Sequence, residues 1–301
     1  MSESLHLKKI ITLVKFKRMK ILITILIFIF QFQSAHAGTN EDRINNLIKT
    51  MNGVAPKYDG PNCWNSALVL AGALPSFRYT DEMEVRFWLK SPVCRELQSN
   101  EEPQLGDLLV IRKTENYIPN SDHDIEVHAF TYIDPLNGFT KNGQGNLAQY
   151  QIQSISETIK KYEVTDASCN RVYGRAPNCQ NYVNYFRCQT MGEYISNNKP
   201  SLPSDFRDYK IQVDELEVKV SDATFNGIDD SNLQTLKDRV QNLQQIFMSY
   251  EKMPDSLKKS ITGVNNKLVV IDPIRYFLWE VLDYSLSSMN SQLTKNTTVT
   301  K

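Results

Sequence analysis

The sequence predicts an α+β protein, and three observations carry that reading. Apolar residues recur at helical spacing through residues 40–97, strand-like alternation takes over between 106 and 155, and three-four spacing returns beyond about residue 201. Helices first and antiparallel strands afterwards is the order of an α+β domain, not of alternating βαβ units. With 301 residues the chain can form one large domain or two small ones. At 41% hydrophobic and 23% charged, it is neither collagen-like, low-complexity nor wholly disordered.

The first segment reads as an address. Lys15, Lys17, Arg18 and Lys20 precede the apolar run ILITILIFIF at residues 21–30, and Ala35-His36-Ala37 then matches an A-x-A cleavage signal. A spanning helix needs roughly 20 apolar residues, about twice what this run offers. Residues 1–37 are therefore expected to be a signal peptide, with Gly38 as the mature N-terminus and Met19 as an alternative start. No transmembrane anchor is expected after cleavage, so the protein is exported, to the periplasm or beyond the cell. The 34 basic and 34 acidic residues balance only because the leader is basic; without it 28 basic and 33 acidic residues remain, a charge of about −5. Such a body has no electrostatic footprint for nucleic acid or an anionic membrane.

The elements follow in order. Residues 40–52 carry Ile44, Leu47, Ile48 and Met51 at helical spacing, with Asn40 as a candidate cap. Asn62 stands where a cap belongs before the apolar run that Cys63 opens. A third helix is expected over 80–97, capped by Thr80. Strands follow at 106–112, at 126–133 with period-2 alternation, at 139–141 and near 150–155. Further on, Leu233, Leu236, Val240, Leu243, Phe247 and Tyr250 mark an amphipathic helix, and Asp272-Pro273 starts another. A helix is also expected over 255–268, and residues 292–301 read as a tail. The organisation is then a signal peptide at 1–37, a core at 38–165, a disulfide-rich segment at 166–200 and a helical region at 201–295, whose apolar stripes read as packing.

An exported chain keeps its disulfides, and five cysteines leave one unpaired. Cys94, Cys169, Cys179 and Cys188 can pair in three ways, leaving Cys63; the competing arrangement joins Cys63 to Cys94. The surroundings of Cys63 favour the first. A thiol in the first turn of a helix meets unpaired amide donors and the positive end of the dipole, which lower its pKa. A nucleophilic thiol needs a base, and the mature chain offers only His123 and His128. His128 shares a strand face with Phe130 and Tyr132, where a rigid element places it.

These residues resemble a known family. Asn62-Cys63-Trp64-Asn65-Ser66 opening a helix, Gly106-Asp107 starting a strand, and His128 beginning the next are similar to the core of the NlpC-type cysteine peptidases, papain relatives that cut amide bonds in bacterial cell walls. The likeness covers roughly residues 40–155. It implies a papain-like core, helices packed on a small antiparallel sheet, with Cys63 as nucleophile and His128 as base. The orienting residue falls on the next strand, with Asn142 as candidate, Gln144 as alternate, and Thr140 nearer the family's alignment. Tyr58, Trp64 and Tyr132 are candidates to line the cleft. The family usually has Asp before the nucleophile and Ser-Gly after it, where this chain has Asn62, Trp64 and Asn65. The implied substrate is a cell-wall peptide or another amide, with no cofactor. The segment 121–128 packs two His and three carboxylates, but its spacing matches no strong metal motif and no metal is expected.

Overall fold

The computed structural model describes residues 39–295, apart from 115–123, 177, 199–203, 228, 250–257, 261–267 and 271–272. The signal peptide expected at 1–37, His123 and the residues beyond 295 lie outside the described residues. The chain divides into two compact units after Leu47. Helix α1 (Asn40–Met51) opens in the first unit. Its cap is Thr39, not Asn40: the Thr39 hydroxyl accepts the Asp42 N–H at 3.2 Å, and the Asp42 carboxylate takes the Thr39 N–H and hydroxyl in return. All that follows concerns the second unit.

The fold is α+β. Helix α2 spans Cys63–Leu70 and α3 spans Glu82–Lys90. The third expected helix stops at Lys90, because Pro92 disfavours helical geometry in the residue before it; the remaining residues supply strand β1 (Cys94–Glu96). Asp81 caps α3 through the Glu84 N–H at 2.8 Å, and Thr80 is buried behind it. Strands β2 (Leu108–Lys113), β3 (Ile125–Tyr132), β4 (Asn137–Lys141) and β5 (Tyr150–Ser154) follow, then the short helix α4 (Ile155–Lys161). The segment 166–200, set apart by its cysteines, contributes strand β6 (Asn181–Cys188) between β1 and β2 and then helix α5 (Met191–Asn198). The sheet runs β1-β6-β2-β3-β4-β5 and every pair is antiparallel.

Alternation decides the two faces. Leu109, Ile111, Phe130, Val183 and Tyr185 pack with Ile155, Ile159 and Val164 on one side. Helix α2 lies on the other, against β3 and β4. Cys94 bonds to Cys188 across the β1–β6 pair, Cys169 bonds to Cys179, and Cys63 is free. Two disulfides are compatible with an exported protein. Among the described residues no helix is long and apolar enough to cross a membrane.

Beyond the sheet, helices α6 (Ser204–Asn226), α7 (Asp230–Ser249) and α8 (Pro273–Lys295) share one apolar core that includes Val213, Leu216, Val220, Val240, Leu243, Leu282 and Met289. The helix expected over 255–268 is instead a small hairpin in its described part, strands β7 (Lys258–Ser260) and β8 (Leu268–Val270). Val269 and Val270 are β-branched and favour that geometry.

The bundle grips the loop between α2 and α3. Arg78 is wholly buried there, bonded to Glu84 at 2.5 and 2.8 Å and to Glu217 of α6 at 2.9 Å. Ser76 adds a bond to Glu217 at 2.8 Å, Ser221 donates to the Phe77 carbonyl at 2.9 Å, and Gln292 of α8 accepts the Tyr79 N–H at 3.2 Å. Removing the arginine would strand two buried carboxylates. We expect Arg78→Met to cost about 3–5 kcal/mol in urea unfolding, and Glu217→Gln, which leaves Arg78 paired with Glu84, to cost less. A loss for Arg78→Met below about 1 kcal/mol, the worth of an exposed pair, would contradict a cross-brace at this position.

Candidate functional site

Cys63 is the first residue of α2, and local sequence explains its place. Asn62 caps the helix through its side-chain Oδ1, which accepts the Asn65 N–H at 3.0 Å, while its side-chain Nδ2 donates to the Thr80 carbonyl at 2.6 Å. Asn65, wholly buried, donates to the Ser76 carbonyl and the Thr80 hydroxyl, both at 3.3 Å, and accepts the Arg78 N–H at 3.1 Å. The two asparagines that depart from the family pattern thus tie the thiol's helix to the gripped loop. On the other flank, Lys57 and Tyr58 donate their amides to the Thr224 carbonyl of α6, at 2.7 and 3.1 Å.

Burial decides the chemistry at rest. Cys63 is 9% exposed and His128 is 1% exposed. Burial pushes the Cys63 thiol pKa up, against the lowering expected of a helix start; the amides of Ala129, Trp64 and Cys63 itself, with the charge of Lys141, pull it partly back. Burial also holds the His128 imidazole neutral down to about pH 4. No hydrogen bond joins Cys63 Sγ to the imidazole. The two approach through the backbone, since the amide that faces the sulfur belongs to Ala129, the residue after His128.

Tyr162, at the end of α4, stacks on the imidazole with ring centroids 4.8 Å apart and planes 15° from parallel. The next residue, Glu163, has φ 60°, a left-handed conformation uncommon for a side-chain-bearing residue, in the turn that lays Tyr162 there. Thr140 Oγ1 lies 3.5 Å from His128 Nε2 and donates to the Ala129 carbonyl at 3.0 Å.

Asn142 does not orient the histidine. Strand β4 ends at Lys141, Asn142 is exposed in the turn beyond it, and alternation turns Thr140 to the His128 side. Gln144 is also exposed, and its carbonyl accepts the Gly60 N–H at 2.9 Å. Trp64 is half-buried beside Cys63, and its buried indole N–H has no acceptor among the described residues. Tyr58 is half-buried in the segment before the thiol. Tyr132 stands apart, four residues along β3 from His128, among Asp134, Glu102, Arg171 and Asp107. That separation along a strand is about 13 Å. Asp107 pairs with Arg187 at 2.7 and 2.9 Å, so the Gly-Asp start of β2 is a structural anchor.

Lys141 escaped the sequence reading. It is wholly buried, and its Nζ donates to the Gly143 and Gly145 carbonyls at 2.8 and 2.9 Å. Burial lowers its pKa to about 8, with Asp59 and Cys63 opposing. One signal was present: Phe139 and Lys141 share a strand parity, so a buried Phe139 implies an inward lysine. Tyr162 had no local signal, because only the chain's return past the sheet brings it to His128. Among the described residues no group of three or more His, Cys, Asp or Glu side chains could hold a metal.

The histidine makes stability depend on pH. The unfolded imidazole binds its proton near pH 6.5 and the folded one near pH 4, so between those values the unfolded state holds more protons and acid destabilises the fold. Over that range His128 should cost on the order of 3 kcal/mol of stability. The measurement is urea unfolding of wild type and His128→Gln at several pH values, with a flatter profile expected for the variant; parallel profiles would refute a neutral buried imidazole. Comparison of the chain with family models, with curated proteins and with solved structures finds no match, so the chemistry of this site is read from its own residues.

Proposed function

We propose that the protein is an exported cysteine hydrolase that cleaves an amide or peptide bond through a thioester on Cys63, with a papain-like arrangement of helix and sheet. The observation that carries this reading is the one free cysteine among five, at the first turn of α2, with its sulfur facing the amide that follows His128. In the reaction Cys63 attacks the carbonyl carbon; alternation sets His128 on the face of β3 opposite the one α2 covers, so for it to take the thiol proton and return it to the leaving amine the imidazole must swing through the gap between β3 and β4. Water then hydrolyses the thioester. The Cys63 and Trp64 amides at the helix start can serve the oxyanion, in a site dry enough for such donors to count. Thr140 takes the orienting role that the sequence reading gave to Asn142.

The resemblance to NlpC-type peptidases supports a peptide of the bacterial cell wall as substrate, and the two disulfides support an oxidising compartment, periplasmic or extracellular.

A second reading has its own observation. With thiol and imidazole both buried, both neutral and not hydrogen-bonded to each other, the same domain could hold a wall peptide without cutting it. Purified cell-wall polymer separates the two. The hydrolase reading expects soluble fragments from wild type and at least about a thousandfold less from Cys63→Ala and from His128→Ala, the scale seen when a triad member is lost. Retention of the protein on the polymer with no fragment released would favour the binding module, and equal release by wild type and Cys63→Ala would remove the thiol from the mechanism.

A further inference from the structure

We propose that Tyr162 is an autoinhibitory latch, whose ring holds the His128 imidazole away from Cys63 so that the thiol gains its base only when the stack opens; this regulation rests on the reading of Cys63 as nucleophile.

The two faces of the sheet separate the thiol from its base. Helix α2 covers β3 and β4 on one side. His128 stands opposite Ile111 in the β2–β3 pair, and Ile111, Phe130 and Tyr185 belong to the core on the other side. The imidazole lies with that second group, its ring centroid 5.9 Å from that of Phe130 and 4.8 Å from that of Tyr162. Its Nε2 meets the Thr140 hydroxyl at 3.5 Å, the far end of hydrogen-bonding reach. A base must come within about 3 Å of the thiol to take its proton. His128 therefore has to change faces before it can act.

The strands leave it a way across. Backbone pairing of β3 with β4 covers Thr131↔Phe139 and Tyr132↔Gly138, so at His128 the two strands have parted. There the Thr140 hydroxyl donates to the Ala129 carbonyl at 3.0 Å, a side-chain bond in place of a ladder bond.

What keeps the imidazole back is a ring from outside the sheet. Tyr162 lies 15° from parallel with it, a flat contact that rotation of His128 breaks. The latch is tied at its backbone. Tyr162 N–H donates to the Ile159 carbonyl at 3.1 Å, and its own carbonyl accepts the Asn181 side-chain amide of β6 at 2.8 Å. Glu163, the next residue, holds φ 60°, and strain of this kind persists where the surroundings over-determine a conformation that function uses. Tyr162 is only half-buried, so its ring can lift outward, whereas His128 is 1% exposed. A stack of this kind biases a two-state equilibrium by about threefold to tenfold.

Alkylation of Cys63 by iodoacetamide at pH 7, followed by mass spectrometry in the disulfide-intact mature protein, reads the latch without a substrate. With the imidazole across, the thiol proton passes to it and the thiolate displaces iodide; with the imidazole latched, the thiol keeps its proton. Tyr162→Ala should label at least about threefold faster than wild type, and Tyr162→Phe, which keeps the stack, should match wild type. The gain must need the histidine, so Tyr162→Ala combined with His128→Gln should label no faster than His128→Gln alone. No gain in Tyr162→Ala, or an equal gain in Tyr162→Phe, overturns the proposal. A gain that survives the loss of His128 also overturns it, because loosening alone then exposes the thiol. Should Tyr162→Ala not fold, Tyr162→Leu fills the space without a flat ring and carries the same expectations. Fragment release from wall polymer by wild type and Cys63→Ala tests the hydrolase reading separately, since a histidine-dependent gain in labelling can be present or absent whatever that assay returns.

Discussion

The interaction on which the rest depends is the buried bond between Arg78 and its two carboxylates. Four of the guanidinium's N–H groups are used: one on Glu217, two on Glu84 and one on the Tyr79 carbonyl. Glu84 also accepts the indole N–H of Trp88, itself wholly buried, at 3.2 Å. A charge cluster this far from water persists only when every member is satisfied. Through it the loop at 76–80 gains one position, and Asn62 and Asn65 hang from that loop. The first turn of α2, and so the sulfur of Cys63, inherits its place from a bond made by a helix 139 residues away in sequence.

That dependence gives the helical region a physical role. Glu217, Ser221 and Thr224 of α6 hold both flanks of the thiol's helix, and Ser288 and Gln292 of α8 hold the Tyr79 backbone. The apolar stripes of α6, α7 and α8 keep those polar residues in register with the loop. The bundle acts as a brace for the helix that Cys63 opens, built from packing inside and hydrogen bonds at its edge.

What was legible in the sequence was local. An asparagine before an apolar run announces a cap, alternation around His128 announces a strand, and an odd cysteine count leaves a thiol over. These signals lie within a few residues of the feature they announce. What was not legible depends on distant partners. Strand β6 reads as polar because of Asn181, Asn184 and Arg187, yet Tyr182, Val183, Tyr185 and Phe186 are buried, and the Asn184 side-chain N–H groups donate inside to Glu96 and two carbonyls. Asn142 was favoured over Thr140 as the orienting residue for its amide chemistry, although the strand was already expected to end at Lys141; the position of the Thr140 hydroxyl, 3.5 Å from the imidazole, reverses the choice. Burial likewise outweighed the helix start at Cys63, because the sulfur faces the sheet and not the solvent.

The central claim is that Cys63 carries the acyl group during turnover. Acid quenching of the mature protein during reaction with a wall peptide, followed by intact-mass and fragment analysis, tests it most directly. The account predicts an adduct of the acyl fragment on Cys63 that hydroxylamine removes and that His128→Ala fails to form. Product release with no adduct on Cys63, or binding with neither adduct nor product, would contradict it.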